Sequence, residues 1–207
     1  MASQTLSKGA YAALVVVAAA CGSSSSSSPA TVAPRVFVGQ VEGSDARVAL
    51  ITTEHNARVF FCGGDTTYKS MTHWIPSAPI DAKGAVSQPP DAAGWAVEGE
   101  VQSSGASGMV TAHGGSTFAF HAVPVATGTI AGIYEAAGPC GKVGLIVAQA
   151  SAGDAPVGQG ACVPPNGNAD PEQVNPIRPI ARAADGTIPV VVGGARLLVR
   201  PAAAPPE

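Results

Sequence analysis

Alternating hydrophobic and polar residues run through most of the chain and predict β-strands rather than helices. The clearest case is 95–102 (WAVEGEVQ), where Trp95, Val97 and Val101 fall on one face and polar residues on the other. Because successive side chains of a strand point to opposite faces, this segment predicts a strand with one buried face. The other predicted strands are 35–42, 46–53, 57–62, 108–114, 116–125, 127–135, 143–149, 157–163, 177–184 and 189–200.

Short turn clusters separate these strands and favour antiparallel hairpins. Gly43-Ser44-Asp45 and Asp185-Gly186 hold the residue types that form tight turns. The chain has 25 glycines and 18 prolines, and no period of 3.6 residues is sustained beyond residue 20. We therefore predict an all-β fold: a single antiparallel β-barrel or β-sandwich of about ten strands built from meander hairpins, since closure or stacking hides the sheet edges.

The N-terminal segment differs from the rest of the chain. Residues 1–8 are polar with one cation, Lys8, and 9–20 (GAYAALVVVAAA) are uncharged and apolar. The apolar run is shorter than the about 20 residues that a membrane-spanning helix needs, so it predicts a signal peptide. The serines at 23–28 predict a flexible tether, because serine-rich segments bury little apolar surface.

The residues at the predicted cleavage point, Ala18-Ala19-Ala20-Cys21, resemble the lipobox of bacterial lipoproteins, with alanine where that motif most often has leucine. The resemblance implies a lipid on the Cys21 sulfur, cleavage before Cys21 and anchoring in the bacterial cell envelope. Gly22 in place of aspartate implies the outer membrane in a diderm organism. The alternative is an ordinary secretory signal cut near Ala20. The predicted segments are a signal peptide (1–20), a lipidated cysteine and tether (21–34), a single β-domain (35–202) and a disordered tail (203–207).

A second resemblance covers about half of the remaining chain. The segment 38–64 (VGQVEGSDARVALITTEHNARVFFCGG) and the motif Ala131-Gly132-Ile133-Tyr134 resemble a group of uncharacterised secreted β-proteins of GC-rich bacteria. The shared motifs are structural. The resemblance therefore implies a β-fold and export, and it implies no activity.

Three cysteines remain if Cys21 carries a lipid, namely Cys62, Cys140 and Cys162. An exported protein meets an oxidising compartment, where disulfides persist. Cys140 precedes one predicted strand and Cys162 closes the next, so folding that hairpin brings the two opposite each other. We predict a Cys140–Cys162 disulfide and a buried free thiol at Cys62; the alternative is that Cys62 pairs with either of the others.

Several segments resemble catalytic or metal sites but lack a part that the chemistry needs. Residues 63–70 (GGDTTYKS) resemble a phosphate loop whose second glycine is replaced by Tyr68. The histidines lack metal-ligand spacing, no Gly-x-Ser-x-Gly occurs, and Glu98 and Glu100 share a strand face expected in solvent. The Cys62 thiol follows an apolar run and is expected to have a raised pKa, whereas a catalytic thiol needs a lowered pKa. We predict no catalytic residue, no metal and no cofactor.

One aromatic segment is a candidate binding surface. Residues 68–79 (YKSMTHWIPSAP) hold Tyr68, Met71, His73 and Trp74 between predicted strands. Aromatic loops on rigid β-scaffolds often bind partners; the alternative is that Trp74 plugs one end of a barrel. The polar loop 164–175 is a second candidate.

Composition narrows the class of function. Charged residues make up 12% of the chain, its net charge is −3, and no basic stripe occurs, so we expect no nucleic-acid partner. We predict a membrane-anchored, non-catalytic binding or structural β-domain. Its expected partners are the membrane, through Cys21, and an envelope protein, a glycan or a small ligand. The alternatives are an envelope hydrolase or other enzyme with an unrecognised site, and an inhibitor similar to lipoproteins that inhibit lysozymes or proteases.

Overall fold

The structure is a computed structural model that describes residues 33–165 and 170–206. Within these ranges the chain forms fourteen antiparallel β-strands and no helix. The predicted all-β antiparallel fold is confirmed. The predicted single barrel or sandwich of about ten strands is wrong, because the strands form an eight-stranded barrel-like sheet, here called the first barrel, and a closed six-stranded barrel, here called the second barrel. The predicted signal peptide and lipid attachment site at Cys21 lie outside the described residues.

The first barrel is a meander of eight strands. Its strands are β1 (Arg35–Val41), β2 (Arg47–Thr52), β3 (Asn56–Cys62), β4 (His73–Pro79), β5 (Ala85–Gln88), β6 (Ala96–Gln102), β7 (Gly105–Thr111) and β8 (Thr117–Pro124). Strands adjacent in the chain pair, and β1 pairs with β8. Between β4 and β5 the pairing in the described chain is reduced to the bridge Ile80–Val86, so this edge is a weak seam.

The second barrel is a closed meander of six strands. Its strands are β9 (Gly132–Gly138), β10 (Gly141–Ala148), β11 (Val157–Val163), β12 (Glu172–Pro176), β13 (Ile188–Val192) and β14 (Ala195–Pro201). Pairing of β14 with β9 closes it, with Arg200 opposite Glu135. Its core includes Tyr134, Val143 and Leu145.

The two barrels pack against each other through outward-facing side chains of β1 to β4 and of β9 to β11. The rings of Phe60 and Trp74 stack with their centroids 4.2 Å apart. They lie against Gly144 of β10, where an added Cβ would meet Phe60 at 2.5 Å and Trp74 at 2.8 Å. Because Phe61 packs inside the first barrel and Phe60 between the barrels, β3 is buried on both faces.

Several strand boundaries differ from the prediction. The proline-containing β4, the short β5, and β12 were not predicted as strands. Conversely, the predicted strand 177–184 is irregular. The predicted strand 189–200 is a hairpin instead, because Gly193 and Gly194 turn the chain with φ values of +54° and +79°.

The cysteine pairing is as predicted. Cys140 in the β9–β10 turn forms a disulfide with Cys162 of β11. In the described part of the chain, Cys62 is the free cysteine, and it is fully buried between the barrels. Burial raises the pKa of the Cys62 thiol, so it is protonated and poorly reactive at neutral pH.

Replacing Gly144 with alanine is expected to destabilise the protein by about 1–3 kcal/mol, because the new methyl group overlaps two packed aromatic rings. Urea unfolding of Gly144→Ala measures this loss. Gly153→Ala is the matched control, since an added Cβ there meets nothing within 4 Å. Equal losses in the two variants would contradict close packing between the barrels.

Candidate functional site at the mouth of the first barrel

One end of the first barrel opens as a cleft of about 490 Å³, which we call the mouth. It lies where β1 begins and where β2 and β6 end, beside the β2–β3 and β4–β5 turns. Its floor holds Thr52, Ile80 and Val101, its rim holds Arg35, Glu54, His55, Asp81 and Lys83, and Ala33, Thr53, Ala82 and Gly84 complete the lining. Ligand sites of β-barrel proteins commonly open at such a mouth.

Thr52 distinguishes this cleft from an ordinary surface hollow. In β2, Val48 and Leu50 face the interior of the barrel, and Thr52 occupies the next position on that face. Thr52 is 1% exposed, and its Oγ1 has no hydrogen-bond partner among the described residues. A buried hydroxyl without a partner costs roughly 1–3 kcal/mol. Oγ1 itself is closed to solvent, so a ligand in the cleft would reach it only if the floor moved slightly, and such a bond would explain why this position is polar.

The rim of the mouth carries charges of both signs. Arg35 and Lys83 supply two cations, Glu54 and Asp81 supply two carboxylates, and His55 lies beside them. All five are exposed, so they remain solvated when the mouth is empty. Mixed charge around one cleft favours a ligand that carries both signs over a polyanion.

Backbone hydrogen bonds fix the rim before any ligand arrives. The Ile80 N–H donates to the His55 carbonyl at 2.7 Å, and the Val101 N–H donates to the Gly84 carbonyl at 2.8 Å. Gly84 has a φ of +88°, and a Cβ there would lie 2.5 Å from the Val101 oxygen, so this position requires glycine. Asp81 accepts two backbone N–H groups of its own turn. The rim of the mouth is therefore pre-formed.

A smaller cleft of about 270 Å³ lies on the outer surface beside the β6–β7 turn, where Glu100 and His121 contribute to its lining. Its lining residues hold none of the buried unpartnered side-chain atoms found in the described chain. For this reason the mouth is the stronger candidate.

The four residues of the predicted aromatic loop do not converge on one exposed surface. His73 and Trp74 belong to β4, at the end of the strand opposite the mouth. Trp74, 8% exposed, packs between the barrels and does not plug a barrel end, whereas Met71 packs in the core of the first barrel. Tyr68 and His73 are partly exposed, and a binding role for them stays a prediction.

His73 forms a partly buried pair with Asp91. Its Nε2 lies 2.6 Å from Asp91 Oδ2, and its ring stacks on Trp95 at 4.8 Å between centroids. Burial raises the pKa of Asp91, but hydrogen bonds from the Trp95 N–H and from His73 outweigh it and hold that pKa below its ordinary value. Since β4 carries His73 and Asp91 follows β5, the pair connects the two strands across the weak seam. No hydroxyl or thiol bonds to His73 in the described chain, so the pair lacks the nucleophile of a hydrolytic triad.

The segment that resembles a phosphate loop binds one of the protein's own carboxylates. Asp45 accepts the Thr66 N–H at 2.8 Å, the Thr66 hydroxyl at 2.7 Å and the Thr67 hydroxyl. Burial raises the pKa of Asp45, but these bonds outweigh it and lower the pKa to about 2. Lys69 forms an ion pair with Asp170 at 2.5 Å. The donors that a phosphate would need are therefore already engaged.

Comparison of the chain with family models, with curated proteins and with solved structures gives no match. Across 33–165 and 170–206, no helix is long and apolar enough to cross a membrane. Over the same residues, no group of three or more His, Cys, Asp and Glu side chains is placed to hold a metal ion.

Sequence reasoning missed the mouth because its residues come from distant strand ends. The cleft forms only when β4 and β5 are in place, and neither of those strands was predicted. It then brings together Arg35, Thr52, Asp81 and Val101. The signal that could have been used is Thr52, a polar residue at an interior position of an otherwise apolar strand.

Asp45 is expected to make stability depend on acid pH. Its folded pKa of about 2 lies below the ordinary value of 3.8, so its contribution is present above about pH 4 and is lost as the pH falls through about 2. Asp45→Asn removes this contribution. Urea unfolding between pH 5 and about pH 2 should show a shallower decline in the variant.

The matched control for Asp45→Asn is Glu98→Gln, which changes an exposed carboxylate of β6. This control should keep the slope of the parent protein. If Asp45→Asn also kept that slope, Asp45 would not stabilise the loop in its ionised form.

Proposed function

We propose that the protein is a lipid-anchored, non-catalytic binding domain of the bacterial cell envelope, with its ligand site in the mouth of the first barrel. The observation that carries the binding role is the buried, unpartnered hydroxyl of Thr52 on the floor of a cleft whose rim is pre-formed. The anchor, a lipid on Cys21, is supported by the lipobox-like sequence, and in a diderm organism it would place the protein in the outer membrane.

The ligand that fits the mouth best is a small zwitterion, such as an amino acid or a short peptide. Its carboxylate would meet Arg35 and Lys83, its ammonium group Glu54 and Asp81, and a polar atom between them the Thr52 hydroxyl. The volume of about 490 Å³ falls within the range of small-molecule sites. Among the partners expected from the sequence, these features favour a small ligand over a glycan or an envelope protein.

An envelope hydrolase is the alternative function, and one observation favours it. The Asp91 carboxylate orients the imidazole of His73, as a carboxylate orients the base in many hydrolases. However, the His73 ring stacks on Trp95 and the pair connects β4 to the segment after β5, so a purely structural role also explains it. The mouth, whose rim is pre-formed and whose floor holds an unpartnered group, supports the binding role instead.

Thr52→Val separates binding from folding, because valine has nearly the shape of threonine without its hydroxyl. Removing an unpartnered buried hydroxyl should raise the free energy of unfolding by about 1 kcal/mol. The same change should weaken binding of the probe, the zwitterionic dipeptide Ala-Ala, by about tenfold, as followed by amide NMR shifts at Gly84 and Val101. Lower stability of Thr52→Val would show that the hydroxyl has a partner in the free protein, contrary to the proposal.

The matched control for this experiment is Thr111→Val at the far end of β7, which should leave both the dipeptide shifts and the binding affinity unchanged. Acetylated and amidated Ala-Ala, which lacks both charges, is the matched probe. If it bound as well as the free dipeptide, the zwitterion proposal would fail.

The anchor is tested by the intact mass of protein extracted from the membranes of the native organism. We expect the mass of residues 21–207 plus acyl chains, and we expect Cys21→Ser to appear in the soluble fraction without that added mass. An unlipidated parent protein would overturn the anchor and leave the binding role at the mouth untouched.

A further inference from the structure

Residues 202–206, here called the strap, leave the end of β14 and run across the junction of the two barrels. The sequence predicts a disordered tail over 203–207, but 202–206 form an extended segment with defined contacts. Ala202 continues the pairing with β9, since its N–H donates to the Ile133 carbonyl at 2.9 Å. Ala202 and Ala204 pack against the apolar cluster between the barrels, and Pro205 is buried.

The protein holds the strap by its backbone. Arg58 Nη1 donates to the Ala203 carbonyl at 2.9 Å, and the Ala203 N–H donates to Glu135 Oε1 at 3.2 Å. Asn56 Nδ2 donates to the Pro206 carbonyl at 3.0 Å. The side chains of the strap contribute only small apolar contacts. The groove therefore recognises an extended backbone with small side chains, and little in these contacts requires the segment to belong to the same chain.

The wall of this groove is charged, and ion pairs connect its side chains. Arg58 binds Glu135 through two nitrogens, at 3.0 Å and 2.8 Å, and Lys142 binds the same carboxylate at 2.9 Å. Both cations also lie over the Trp74 ring, at 5.1 Å and 4.1 Å from its centroid. A two-pronged arginine–carboxylate pair fixes the direction in which Arg58 presents its remaining donor.

Two donors in this wall are left unsatisfied when the strap is in place. Arg58 Nε and Trp74 Nε1 are buried and have no hydrogen-bond partner among the described residues. Buried donors without acceptors are uncommon in folded proteins. Arg58 and Trp74 thus have hydrogen-bonding capacity that the strap does not use.

We propose that the groove between the barrels, lined by Asn56, Arg58, Trp74, Ile133 and Glu135, is a binding site for an extended alanine- and proline-rich peptide, and that the strap occupies it in cis. A partner peptide would place one carbonyl at Arg58 and one N–H at Glu135. The site lies on the outer face of β3 and does not depend on the ligand proposed for the mouth.

The test uses a fluorescein-labelled peptide with the sequence of residues 201–207 (PAAAPPE). Fluorescence polarisation measures its binding to the parent protein, to a variant lacking residues 202–207, and to the full-length variant Ala204→Asp. We expect binding to both variants, with Kd at least about tenfold lower than for the parent, whose groove is filled. The deletion keeps all fourteen strands, and circular dichroism and amide NMR spectra verify the fold of each protein.

Two matched controls address specificity. A peptide N-methylated at the residue that corresponds to Ala203 cannot donate to Glu135, and Arg58→Lys in the strap-less protein loses the two-pronged contact. Each change should raise Kd about tenfold, whereas Arg196→Ala, on an exposed part of β14, should not. Absence of binding to both folded strap variants, or binding that ignores N-methylation, would overturn the proposal and leave the strap as a structural strut.

Discussion

The packing of the Phe60 and Trp74 rings against Gly144 is the interaction on which the arrangement of the two barrels depends. A side chain larger than hydrogen at Gly144 would overlap both rings, so the packing between the barrels would have to shift. The same contact buries Cys62. Ala202 and Ala204 pack against the same apolar cluster. Each barrel closes through its own backbone pairing, but neither could cover its outer apolar face alone.

Much of the fold follows from the sequence where one strand face is buried and the other is solvated. In β6, the alternation of Val97 and Val101 with acidic residues predicts both the strand and its buried face. Prediction fails where that rule does not hold. β4 is an edge strand that contains prolines, and its Trp74 faces outward and is buried against the second barrel. A local sequence pattern cannot distinguish such a strand from an aromatic loop.

The candidate site was harder to predict than the fold. The disulfide follows from the neighbouring strands that carry Cys140 and Cys162, since hairpin geometry is local. The mouth depends on the closure of eight strands, which brings Arg35 beside Asp81. The one local sign in the sequence is the hydroxyl of Thr52 at an interior position. It points to a site only once the structure shows that the hydroxyl has no partner among the described residues. Local rules are often broken at functional sites, and Thr52 breaks one at the proposed site.

The position of Ala33 in the lining of the mouth has a consequence for how a ligand would be found. If the chain is attached at Cys21, the twelve residue steps from Cys21 to Ala33 can span at most roughly 40 Å. Because Ala33 lines the mouth, the mouth of an anchored protein would stay in a layer of at most about that thickness above the bilayer. Its ligand would be encountered by lateral search within that layer rather than in bulk solution. Local concentration at the membrane surface, more than intrinsic affinity, would decide whether the site is filled.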